Sequence, residues 1–186
     1  MNTLKFLTSL VFVSIFFVSC SNDDDSPEIV NEEEVITTMT VTLTPDDGGT
    51  SVILQTLDLD GDGGNDPVVT VTGNLSTATT YNGSIVLLNQ TEDPAEDITE
   101  EVEEEDLDHQ FFYTVGSGLN VTVDNANLDS EGNILGTTFD LTTGAASTGA
   151  LTFTLRHEPT KQEGSNDADA AGGETDIEAT FSLEVE

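Results

Sequence analysis

From residue 35 onward, apolar and polar positions alternate along most of the chain, and helical spacing is scarce. Nine short runs rich in Thr, Val, Leu and Phe carry the alternation: 35–44, 51–57, 68–72, 80–89, 109–115, 119–123, 137–141, 149–157 and 177–185. Clusters of Gly, Asn and Asp separate them, as in Pro45-Asp46-Asp47-Gly48-Gly49. Period-two runs cut by turn chemistry predict an all-β fold, an antiparallel immunoglobulin-like β-sandwich of about nine strands with one short acidic helix or loop.

The same alternation proposes inward faces. Leu151, Phe153, Leu155 and His157 share one side of their run. Ala179, Phe181, Leu183 and Val185 do so on the last run, and Phe111, Tyr113 and Val115 continue from His109. Phe112 points the other way and is expected to cover an edge.

The first residues read differently. Lys5 precedes a mostly apolar stretch, 6–18, that is too short for a permanent membrane helix and ends Phe17-Val18-Ser19-Cys20. This resembles a bacterial lipoprotein signal cleaved before Cys20, whose thiol takes the lipid, with Phe17 at the position usually held by Leu. Ser21-Asn22-Asp23-Asp24-Asp25 resembles the acidic tag that carries Bacteroidota lipoproteins to the outer face of the outer membrane. The expected organisation is a signal peptide over 1–19, a lipidated cysteine and acidic tether over 20–34, and one sandwich domain over 35–186. Cys20 is the only cysteine, so an internal disulfide and a thiol nucleophile are both excluded.

Charge changes the picture further. The formal net charge is −34, and Arg156 and Lys161 are the only basic residues after Lys5. That balance excludes nucleic acid and anionic headgroups as charge partners and leaves cations and basic proteins. The acids are also concentrated: eleven of the seventeen residues from Glu92 to Asp108 are Asp or Glu. If successive strands alternate in direction, the loops 58–67, 90–108, 124–136 and 158–176 gather at one end. They hold 24 acids, against Asp46 and Asp47 in the loops of the other end. His109, which opens its run, and His157, which closes its own, then belong to the acidic end, together with Asp176 and Glu178.

Three features there suggest metal chemistry. Asp58-Leu59-Asp60-Gly61-Asp62-Gly63-Gly64-Asn65-Asp66 resembles a calcium loop, and the alternate carboxylates of Asp58, Asp60 and Asp62, with Asp66 close by, suit a hard cation. The bidentate Glu of the helix-flanked version is Val69 here, so an acidic hairpin loop fits equally. His109 and His157, with Glu158 beside the latter, form a two-imidazole, carboxylate set that suits zinc or copper. In 93–105, Asp93 reads as a helix cap with Pro94 at the first position. Like-charge pairs such as Glu100/Glu104 oppose that helix, leaving either a solvated loop or a helix neutralised by cations. Calcium ranks ahead of zinc or copper on the number of carboxylates. Signatures of common enzyme classes are absent from the sequence, as is tryptophan.

The segments DLDGDGGNDP, LLNQTEDPAEDITEEVEEEDLDHQFFY, LTFTLRHEP and GGETDIEATF together resemble a family of small flavobacterial lipoproteins. Members often carry the label of a type 1 periplasmic binding fold, which implies two α/β lobes with parallel sheets. The alternation in this chain implies an antiparallel sandwich instead. The resemblance assigns no activity to any residue. The functional expectation is a non-enzymatic, cell-surface lipoprotein whose acidic end binds divalent cations and which serves an outer-membrane transporter. A protein-interaction or adhesion module without metal, and a carboxylate-based hydrolase, are the alternatives.

Overall fold

The computed structural model describes residues 34–61 and 64–186. The signal, Cys20 and the tether up to residue 33 lie outside the described residues, as do Asp62 and Gly63. The described residues form ten strands and two short helices. In chain order these are β1 (Thr38–Pro45), β2 (Val52–Leu57), β3 (Val68–Val71), β4 (Thr80–Asn89), β5 (Glu96–Asp97), α1 (Ile98–Glu104), β6 (His109–Val115), β7 (Val121–Asp124), β8 (Thr138–Thr143), β9 (Ser147–His157), α2 (Ala168–Ala171) and β10 (Glu174–Val185). Each of the nine expected runs becomes a strand, and β5 is a two-residue addition.

The strands build two antiparallel sheets. The larger has the order β3-β2-β1-β4-β8-β7, with β5 paired to β4, and the smaller has the order β10-β9-β6. No parallel pair joins named strands of either sheet among the described residues. Alternation does the packing. Met39, Val41 and Leu43 of β1 and Ile85 and Leu87 of β4 turn inward and meet Phe111, Phe153, Phe181 and Leu183 in one core. Ala179, Phe181, Leu183 and Val185 are all buried, whereas Val115 is 37 % exposed at the end of its strand. Gly83, paired with Phe139 across β4 and β8, leaves the space that the Phe139 ring fills.

Phe112 is buried rather than spread over an edge. The free edge of β6 is closed by other groups. Asn166 accepts from the Tyr113 N–H at 2.8 Å and donates to its carbonyl at 2.7 Å, and the Phe111 N–H donates to Leu135 O at 2.8 Å. These bonds satisfy backbone groups that an open edge would offer to another chain.

Helix α1 is the short acidic helix, and it starts later than Asp93 and Pro94 suggest. Its cap is Asp97, whose side chain accepts from Thr99 N at 3.0 Å. Ile98 and Val102 are buried, and Thr99 Oγ1 accepts from Leu87 N at 2.9 Å. Two apolar contacts and this tie to β4 therefore hold a helix that its own like charges oppose. Burial, followed by the charges of Glu96, Glu34, Glu105 and Glu104, raises the Glu101 carboxyl above its usual range.

Candidate metal centre

The registers gather the acidic loops as strand alternation requires. Thr38 pairs with both Leu57 and Leu88, Leu57 with Val68, and His157 with both Glu174 and His109. The ends of β2, β4 and β9 and the starts of β1, β3, β6 and β10 thus lie together, and the loops between them share one end.

His109 and His157 are direct partners across β6 and β9. Opposed residues in a ladder share a face, so the imidazoles lie side by side with ring centroids 4.7 Å apart. His109 is 0 % and His157 5 % exposed. Two buried carboxylates complete the group. Glu34 Oε1 lies 3.1 Å from His109 Nε2, and Glu34 Oε2 lies 3.9 Å from His157 Nδ1. Asp176 Oδ2 lies 3.9 Å from His109 Nε2, and Asp176 Oδ1 lies 4.0 Å from His157 Nδ1. One donor atom from each of Glu34, His109, His157 and Asp176 falls within 4.8 Å of the other three.

The polarity of His109 is set from behind. Its Nδ1 faces the carbonyl of Glu105, the C-terminal cap of α1, at 3.2 Å. A carbonyl only accepts, so Nδ1 carries a proton, and Nε2 of a neutral ring presents a lone pair to the carboxylates. Nε2 is buried and makes no hydrogen bond, and neither does Glu34 Oε2. The lone pairs of His109 Nε2 and Glu34 Oε1, 3.1 Å apart, repel one another in a site where water cannot screen them. A proton on Nε2 or a cation among the four groups removes that repulsion. Tetrahedral bonds of about 2.0–2.1 Å place ligand atoms about 3.3 Å apart; the four donor atoms lie within 4.8 Å of one another, so small side-chain shifts would close them around an ion. Two neutral imidazoles and two carboxylates would also balance the charge of a divalent ion.

The expected histidines are therefore together, but their expected carboxylate is not with them. Glu158 is exposed and lies outside the group, because the residue after His157 does not share its face. Asp176 takes the position instead through a shift in register. Thr175 pairs with Arg156 and Ile177 with Leu155, which leaves Asp176 as the extra residue of a bulge. The bulge breaks the alternation, so Asp176 reaches the buried side that His157 occupies. Glu34, assigned to the tether by composition, folds against the domain with its side chain 7 % exposed. As the last of three consecutive glutamates, 32–34, it carried no signal that set it apart.

The loop of Asp58, Asp60 and Asp66 is organised by its own bonds. Asp58 Oδ1 accepts from the backbone of Asp60 at 3.1 Å and of Gly61 at 2.9 Å. Asp60 Oδ2 accepts from the backbone and side chain of Asn65, which lower its carboxyl below the usual range. Asp66 is exposed. Elsewhere at this end, Lys161 reaches between loops. Its Nζ donates to Asp129 Oδ2 at 2.9 Å and to Asp106 O, while Asp106 accepts from Ser130 N at 2.7 Å. One buried cation thus joins three acidic loops.

No family model matches the chain, and no curated protein or solved structure matches it.

Proposed function

We propose that this chain is a non-enzymatic lipoprotein, anchored through Cys20 at the outer membrane and facing the cell exterior, that binds a divalent cation at Glu34, His109, His157 and Asp176. The observation that carries the reading is the buried His109 Nε2, aimed at Glu34 with its other nitrogen committed to the Glu105 carbonyl. The mixed nitrogen and oxygen donors support zinc ahead of calcium, the reverse of the ranking drawn from carboxylate number. Four protein donors fill a tetrahedral ion and leave no position for a reacting water, which supports binding rather than catalysis. An outer-membrane transporter for the same cation is the partner this reading implies.

The test is elemental analysis and zinc titration of the full chain carrying Cys20→Ala, which removes the one thiol. The expected result is one zinc per chain, lost in His109→Ala and in Asp176→Asn. Calcium at the same concentration should bind measurably more weakly. Zinc uptake that survives both substitutions would remove the site. Stabilisation by zinc no greater than that from sodium chloride at matched ionic strength would leave an acidic surface that docks a partner protein.

A further inference from the structure

The metal centre is closed on the His109 side, but its carboxylates border open space. Glu34 and Asp176 both line a cavity of about 400 Å³ whose wall also includes Asp58, Thr175 and Glu178. Along that wall burial falls away. The side chains of Glu34 and Asp176 are 7 % and 2 % exposed, Asp58 is half-buried, and Thr175 and Glu178 are exposed. The cavity therefore runs from the buried donors to solvent. One further carboxylate, that of Asp58, stands along it, held by the backbone of its own loop. The Glu178 carboxylate turns to the other face of its sheet, where Thr154 Oγ1 donates to it at 2.9 Å. Arg156 and Lys161, the two basic residues of the domain, do not line it; Arg156 donates to Thr175 Oγ1 at 2.6 Å from the other face of the sheet.

We propose that this cavity is the route by which a divalent cation reaches and leaves the metal centre, so that the ion is exchangeable cargo rather than a permanent structural element. This rests on the metal reading above. A channel walled by one sign of charge concentrates counter-ions and speeds their capture, an effect that falls steeply with ionic strength. Fixed carboxylates along the path also offer successive weak oxygen ligands, which lets a hydrated ion lose water stepwise before the imidazoles take it. The same walls repel anions, so a small anionic ligand is excluded as the occupant. The route gives Asp58 a role other than binding calcium: with Gly61 and Pro67 it forms the outer wall of the path to the metal centre.

The experiment is stopped-flow mixing of the full chain, as Cys20→Ala, with cobalt(II) ions. Binding is read from the visible absorbance of the coordinated metal and release from transfer to a chelator. Asp58→Asn should slow association about twofold at low salt and flatten its salt dependence. Asp46→Asn, which removes equal charge from the opposite end, should change neither. Pro67→Trp, at an exposed wall residue of the cavity, should narrow the mouth, slow association and release together and leave the equilibrium affinity near its native value. If native protein binds cobalt and none of these rates changes, the route is wrong and the metal centre stands. If native protein binds neither cobalt nor zinc at equilibrium, both fail.

Discussion

His109 and His157 face each other across the β6–β9 ladder, with ring centroids 4.7 Å apart and a tilt of 33° between the ring planes. The pair closes one wall of the candidate centre, and Glu34 and Asp176 approach it from the segment before β1 and from the bulge in β10. Because Glu34 leads into the larger sheet and the other three donors belong to the smaller one, an ion held by all four ties the two sheets together.

That linkage predicts metal-dependent stability. Zinc at a hundredfold excess over its Kd should stabilise the native chain by about 2.7 kcal/mol. For a domain of this size that is a rise in Tm of about 5–10 °C. His157→Ala should abolish the increment, and Glu34→Ala should weaken zinc binding at least tenfold, since even outer partners of metal ligands carry that much. Calorimetry with and without zinc measures the first effect, and titration measures the second. Asp58→Asn with Asp60→Asn should leave equilibrium zinc binding near native. A residual calcium increment lost in that variant would restore the hairpin loop as a calcium site.

Asp129 and Lys161 predict a pH effect. The Asp129 side chain is fully buried, which disfavours its charged form. The Lys161 hydrogen bond and the backbone N–H groups of Asn133 and Glu131 outweigh that and hold its carboxyl below the usual range. A lowered folded pKa stabilises above the unfolded value, and the stabilisation is lost as pH falls through the folded value. Asp129→Asn should therefore destabilise by about 3 kcal/mol at neutral pH, because it strands a buried ammonium. The gap from native should shrink as the solution is acidified below the ordinary aspartate range. Urea unfolding across pH measures this, and a gap that does not change with pH would contradict it.

Gly83 tests the packing of the sandwich. An added Cβ would overlap the Phe139 ring opposite it, in a core where neither strand can shift alone. Gly83→Ala should cost about 1–3 kcal/mol. Gly132→Ala, in open space at a positive φ of 92°, should cost only its backbone strain. Denaturant midpoints compare the two.

Cys20 tests the anchor. Native protein should fractionate with the outer membrane, and Cys20→Ala should yield soluble or unprocessed chain. Identical fractionation of both forms would overturn the lipoprotein reading.

Strand existence, the inward rows and the charged end were legible in the sequence because each follows from local regularity. A period of two places Phe153, Leu155 and His157 on one face without reference to any partner strand. Alternating strand direction then sends His109 and His157 to the same end of the fold. The start of α1 was less legible: Asp93 and Pro94 carry the local signal, but the burial of Ile98 and Val102 against β4 decides where the helix forms. The carboxylate partners were not legible at all. His157 is adjacent in sequence to Glu158, and period-two reasoning gives Asp176 the outward face shared by Glu178 and Thr180. One bulged residue reverses that for Asp176, and the fold of the chain before β1 brings in Glu34. Both depend on contacts between residues far apart in sequence, so only the tertiary structure selects these two carboxylates from the chain's 37 acids.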